Sequence, residues 1–298
     1  MKLALFAFGQ EDHVGIVEED GIFDLTRAMQ AYDLFNKNIQ TAPVTSIHEM
    51  LDKNMVRPAV IEPVVDFIDR HNLRQALTVP EGAADHPLRA PIRRPGKIIA
   101  LGGNYSFPGY PDPEEPPFFF KVATSVIGSD EPIIYKKIMK QVEPEIELAA
   151  VIGSRASDVP EEEAMQYVAG YTVLNDVTAR DLQNAAWDIQ RPWEYTKSID
   201  TFTPVGPHLV LPEAVSDPHD LEMIMRVNGE VVAEASTNTM LFRIPFLIEY
   251  LSQYMTLEPG DIIATGTPAH PEALHPGDVI ELEVAEVGVL RNPIVAEG

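Results

Sequence analysis

The run Glu143-Pro144-Glu145-Ile146-Glu147-Leu148-Ala149-Ala150-Val151-Ile152-Gly153 sets two carboxylates at the head of an apolar stretch with strand character from Ile146 to Ile152. A strand sends residues i and i+2 to one face, roughly 6.6 Å apart along the chain. Glu145 and Glu147 therefore lean toward one point. Left there without a cation, they would repel each other and be costly to desolvate. A hard divalent cation removes the conflict, and oxygen-only ligands suit Mg²⁺, Mn²⁺ or Ca²⁺ rather than Zn²⁺. Taken alone, the run also suits a solvent-exposed acidic strand face. Asp176 and the residues after it tip the reading toward a metal site.

Tyr171 to Leu174 reads as a buried strand ending at Asn175-Asp176. Thr178 is placed to cap a following helix, with Asp181 three positions on in a weak capping box. Asp176 thus sits at a strand-to-helix corner, where side chains commonly face a cleft; a turn or cap role is the plainer alternative. Arg180 and Gln183, three apart, share one helix face. Lys197 is the single lysine in residues 141–298. Near a metal it would polarise a carbonyl or steady an enolate; an ion pair with Glu194 or Asp200 is the alternative.

The bulk composition narrows the function class. With 45% hydrophobic and 23% charged residues over 298 positions, the chain reads as an ordinary globular protein of one large domain or two smaller ones. It contains no cysteine, which excludes disulfides, thiolate metal sites and a cysteine nucleophile. No signal peptide and no run near about 18 apolar residues is evident, so a cytoplasmic enzyme that does not span a membrane is expected. The balance of 22 basic against 46 acidic residues, net −24, makes nucleic acid and anionic membranes poor partners. An anionic metabolite is still admissible, because the Debye length of about 8 Å leaves a site's own charges in control at close range.

Three strand candidates, Leu3 to Phe8, His13 to Val17 and Gly21 to Leu25, make residues 1 to about 35 a small β unit. Segments 44–56 and 60–78 read as helices, the second with an apolar stripe through Val64, Phe67, Ile68 and Leu73. These give a small N-terminal domain over 1–80, a Pro- and Ala-rich linker over 81–95, and a larger, mostly β domain over 96–298. In the latter, Asn228-Gly229 is the strongest hairpin signal. Leu241 to Met255 reads as an amphipathic helix.

A set of ordered blocks carries a family resemblance. They are Lys97-Ile-Ile-Ala-Leu-Gly-Gly-Asn104-Tyr105; Phe120-Lys121 with Thr124-Ser125 and Gly128; and Glu145-Ile-Glu147-Leu-Ala. Tyr171 through Asp176 and Arg180 to Gln183, Lys197 through Phe202 to Pro207, Met255 through Asp261 to Thr265-Gly-Thr267-Pro, and Gly288 to Pro293 follow. The chain resembles the fumarylacetoacetate hydrolase superfamily, in an acylpyruvate hydrolase-like branch with a small N-terminal domain. The resemblance implies an α+β, mainly β fold: a mixed β-roll catalytic domain, usually in a homodimer, with a small N-terminal α/β domain. It implies Mg²⁺ or Mn²⁺ held by Glu145, Glu147 and Asp176, chelated by the carboxylate and keto oxygens of a small 2-oxo acid. Lys197, Arg180 and Gln183 would orient substrate and stabilise charge. Thr267 would lie near the substrate carboxylate, and Lys121, Ser125 and Tyr105 near the same pocket.

One block departs from the family. Hydrolytic members usually follow Asn-Tyr with a loop carrying a histidine three residues on and a glutamate three beyond it, the pair that activates water. Pro108 stands at the histidine position, and the loop looks shortened before Glu114-Glu115. General-base help is commonly worth about 10²–10⁴ in rate, so its loss bears directly on hydrolysis. Glu114 or Glu115 are substitute proton carriers, or simply an acidic loop; His270 and His275 are further candidates. The leading expectation is hydrolytic carbon–carbon cleavage of an acylpyruvate- or fumarylacetoacetate-type substrate. The alternatives on the same enolate chemistry are a decarboxylase, a tautomerase or a sugar-acid dehydratase, or a non-catalytic homologue that keeps the metal site. Trp187, Trp193 and Tyr195 suit either a lid over the substrate or plain packing.

Overall fold

A computed structural model describes residues 1–37, 42–80, 86–107, 109, 111–269 and 272–298. Strands Lys2–Phe8, Glu11–Glu18, Gly21–Asp24 and Thr78–Pro80 form an antiparallel meander. The first of them also pairs with Thr203–Val210, Leu3 lying opposite Leu209. One sheet therefore continues through Val168–Asn175, Ile146–Ile152, Ile262–Ala264 and Ile98–Leu101 to the edge strand Phe118–Lys121. A second, five-stranded sheet orders Glu230–Ser236, Glu222–Val227, Val279–Val284, Gly288–Ala296 and Ile133–Tyr135. Parallel pairs, such as Ile262–Ala264 on Ile98–Leu101, sit among antiparallel ones. The fold is mixed α+β and dominated by sheet, as expected.

The central strands are apolar on both faces because each face covers a separate core. Leu148, Ala150 and Ile152 join the core that includes Tyr171, Val173 and the buried face of helix Ile244–Tyr254. Ala149 and Val151 join the other core, shared with Leu3, Phe23, Ile61 and Ile68 of the N-terminal segment. Each fully buried aliphatic side chain contributes about 1.5–3 kcal/mol. Alternation puts Glu145 and Glu147 on the same side of the sheet as Ala149 and Val151.

Three local readings are corrected. Residues up to 35 are not all β: Asp24 ends the third strand and accepts from the Arg27 N–H at 3.0 Å, capping helix Leu25–Phe35. Leu25, Ala28 and Met29 of that helix are buried at helical spacing. The long helix read over 60–78 is instead Pro58–Arg70 followed by the single turn Arg74–Leu77, interrupted where Asn72 takes φ 54°. Thr178 caps nothing. Helix Arg180–Asp188 starts from Ala179 without a side-chain cap, while Thr178–Ala179 pairs with Val142–Glu143.

Candidate metal centre and active site

The three carboxylates meet because strand register delivers them to one end of a strand pair. Ile146 lies opposite Asn175 and Glu147 opposite Leu174. Beyond that register, the Asp176 N–H donates to Glu145 O at 2.9 Å, and the Glu145 N–H donates to Asn175 Oδ1 at 3.0 Å. These bonds fix the corner from which both side chains emerge. Glu145, Glu147 and Asp176 are all buried, with one carboxylate oxygen of each within 4.8 Å of the others.

Cations from three elements converge on this group. Lys197, on the turn Glu194–Lys197, donates from Nζ to Glu145 Oε2 at 2.7 Å and also to Asp176 Oδ2. Lys121, at the end of the edge strand, donates to Asp176 Oδ1 at 2.6 Å and to the Lys197 carbonyl. Arg180 opens its helix and donates to Glu143 Oε2 and Glu145 Oε1, both at 2.7 Å, and to Gln183 Oε1. Thr178 Oγ1 donates to Glu145 Oε1 at 3.0 Å, which is where its hydroxyl is used instead of in a cap.

The two lysines are pushed in opposite directions. Burial pulls both ammonium groups down. For Lys121 that effect prevails over Asp176, with the neighbouring Lys197 charge adding to it. For Lys197, Asp176 and Glu145 together outweigh burial and hold it above the ordinary lysine value.

Glu147 is the unbalanced member. Its Oε2 accepts the Gly266 N–H at 2.7 Å, but its buried Oε1 has no hydrogen-bond partner. Burial first, then the charges of Asp176 and Glu145, raise its pKa well above the usual carboxylate range. An orphaned buried carboxylate oxygen beside two further carboxylates is the donor set of a hard divalent cation. The residues present fit such an ion. Gly266, at φ 87°, is needed for the close approach: a Cβ there would lie 3.0 Å from Asn104 Cβ and 3.3 Å from Leu101 O. Asn104 ties this loop in place, its Nδ2 donating to Thr265 O at 2.8 Å.

A cavity of about 730 Å³ opens above Glu145, Arg180, Gln183 and Lys197. Thr267 and Tyr105 also line it, as do Phe107, Phe119, Trp187 and Trp193. Burial, followed by the Glu147 charge, raises the Tyr105 phenol above its ordinary value. The other sequence candidates lie elsewhere. Ser125 is buried off the cavity wall, bonded to Val122 O and Thr203 Oγ1. Glu114 and Glu115 are exposed and do not line the cavity; Glu115 accepts from the Tyr250 hydroxyl at 3.1 Å. His275 is exposed beside Asp278. Pro108 and His270 lie outside the described residues.

Sequence reading passed over Glu143, a buried carboxylate on the cavity wall. Its signal was present, because it precedes Glu145 by the same two-residue step that relates Glu145 to Glu147. Asn184 and Phe119 line the cavity as well, and nothing in their local sequence marks them. Trp193 packs edge-on against Phe119 at 4.9 Å and Trp187 at 5.8 Å, so the aromatic segment both packs and forms wall.

Sheet, corner and converging cations together define a fold shared with known proteins. The family model for the fumarylacetoacetate (FAA) hydrolase C-terminal domain matches residues 99–295, and the chain belongs to that family of enzymes. The mitochondrial oxaloacetate tautomerase of Bos taurus is 37% identical over 265 residues, 83% of this chain and 84% of that protein. A solved maleylpyruvate hydrolase from Sphingobium, in complex with manganese(II) and pyruvate, matches the full length of both chains at 30% identity and TM-score 0.78. A 5-carboxymethyl-2-hydroxymuconate delta-isomerase from Mycobacterium smegmatis does so at 31% and TM-score 0.75. Among the described residues, no helix is long and apolar enough to cross a membrane.

Proposed function

We propose that this protein is a divalent-metal-dependent enzyme that enolises a 2-oxo acid, and that keto–enol isomerisation is its net reaction. The observation that carries the reading is a cavity that exposes Glu145 of the oxygen-only triad beside the Lys197 ammonium, which bridges Glu145 and Asp176, with no histidine among its described lining residues. Mg²⁺ or Mn²⁺ held by Glu145, Glu147 and Asp176 would supply Lewis-acid charge beside the keto oxygen. Lys197, fixed by Glu145 and Asp176, aims a preorganised positive charge at the oxygen where negative charge develops. Arg180 is held by Glu143, Glu145 and Gln183, which makes it an orienting group rather than a mobile one. Thr267 lines the cavity, and its hydroxyl, which donates to Ala269 O at 3.1 Å, would turn to the substrate carboxylate as the family resemblance implies. The C3 proton needs one acceptor, and Glu143 is the buried wall carboxylate outside the triad.

Hydrolytic carbon–carbon cleavage is the second reading, favoured by the full-length likeness to the maleylpyruvate hydrolase. It requires a base beside an attacking water, and the exposed Glu114–Glu115 loop supports it poorly. We further propose a cytoplasmic homodimer, in keeping with the absence of cysteine and the family resemblance.

Deuterium exchange at C3 of 2-oxobutyrate, followed by NMR with and without chelator, tests the first reading; release of pyruvate from acetylpyruvate tests the second. Exchange without cleavage is the expected result. Cleavage at a rate matching exchange would instead establish the hydrolase. Turnover indifferent to chelation would remove the triad from the chemistry altogether.

A further inference from the structure

The cavity sorts its polarity along one direction. At its inner end stand Glu145, Lys197 and Arg180. Phe119 comes next, its ring centroid 5.2 Å from Lys197 Nζ; Trp193 packs on Phe119, and Trp187 on Trp193. The helix Arg180–Asp188 measures the same direction, since Trp187 lies seven residues beyond Arg180, about 10 Å along the axis. Trp187 is half exposed and forms the rim, whereas Phe119 is buried.

Charge follows the opposite rule. Arg180 and Lys197 are the cations among the described lining residues, and both are already paired with carboxylates. The remaining charged groups on the wall, Glu143, Glu145 and Asp112, are acidic. A second carboxylate on the substrate would meet aromatic carbon and like charge, with only the neutral amide of Asn184 and the indole N–H groups of Trp187 and Trp193 as donors and no unpaired cation to offset its desolvation, which is a costly burial. An uncharged alkyl or aryl group would instead exchange water for aromatic contact.

We infer that the site takes 2-oxo acids whose far end is an uncharged apolar group, and discriminates against dicarboxylates of the same length. This rests on the oxo-acid reading proposed above and adds the identity of the distal group.

The test compares two isosteric ligands, 6-methyl-2-oxoheptanoate and 2-oxoadipate, by calorimetric titration of the Mn²⁺-loaded protein, with oxalate as a third titrant. The branched mono-acid should bind at least tenfold more tightly than the diacid. Trp187→Arg should move that ratio at least tenfold toward 2-oxoadipate, its melting temperature confirming that it folds. Equal or tighter binding of 2-oxoadipate by the wild-type protein would overturn the inference and leave the oxo-acid reading standing. A folded Trp187→Arg protein with the wild-type ratio would overturn the assignment of the distal group to this wall. If oxalate and both oxo acids fail to bind, the oxo-acid reading falls and the inference falls with it.

Discussion

Lys197 Nζ lies 2.7 Å from Glu145 Oε2, a contact between two buried groups 52 positions apart in the chain. A lysine placed there for stability alone would be an expensive choice, because buried ion pairs rarely repay their desolvation. A charge kept ready for a developing oxyanion accounts for it better. Lys197→Met should therefore lower turnover by about 10²–10³-fold while Mn²⁺ titration still yields one tight site. Loss of metal together with activity would make Lys197 a support of the carboxylates instead.

Glu147 is crowded by Asp176 and Glu145 and lacks a partner at Oε1. Removing its charge should affect the metal-free and metal-loaded proteins in opposite ways. Glu147→Gln keeps a carbonyl-type acceptor for the Gly266 N–H but relieves the repulsion. The metal-free variant should melt at or above the wild-type temperature, and Mn²⁺ affinity should fall by at least about tenfold. A variant that melts lower without metal and binds Mn²⁺ normally would show that Glu147 serves the fold alone.

The sequence was most legible where local chemistry and tertiary demand agreed. Strand Ile146–Ile152 forms as its apolar run requires, and Asn228 and Gly229 take φ 55° and 83°, as a two-residue hairpin turn needs. The candidate site was legible as a triad because strand alternation and one corner suffice to assemble it. It was less legible where a residue has two suitors. Thr178 looks like a helix cap, but Glu145 Oε1 takes its hydroxyl, and the strand bridge to Glu143 fixes its backbone. Helix Leu25–Phe35 was missed because its cap, Asp24, also closes the preceding strand. The distal wall was hidden for a different reason. Trp187 and Trp193 were legible as candidate lid aromatics, but Phe119 and Asn184 come from separate segments and join them only through the fold.

Glu143 and Glu114 are competing candidates for the proton carrier, one buried on the wall and one exposed on the loop. Glu143→Gln should lower kcat by about 10²–10⁴-fold with little change in KM, as expected for a group that acts on the proton rather than on binding. A rise in KM with kcat preserved would mean that Glu143 only positions Arg180. A loss of the same size in Glu114→Gln, with Glu143→Gln active, would return the role to the loop.

His208 gives the fold a pH dependence separate from the metal centre. Its buried ring donates from Nε2 to the Val287 carbonyl at 2.7 Å. Burial, and secondarily the charge of Lys2, lower its pKa from 6.5 to about 4, against the smaller upward pull of Val287. The unfolded chain thus binds a proton near pH 6.5 that the native protein accepts only near pH 4. Between those values the unfolded state binds more protons, so stability rises with pH. This contribution is complete above the unfolded value and is lost as pH falls toward the folded one, by on the order of 3 kcal/mol. His208→Gln keeps an N–H donor that does not titrate. Its melting temperature, followed by calorimetry across that window, should fall less steeply with acid than that of the wild-type protein. Parallel curves for the two proteins would assign the acid sensitivity to other groups.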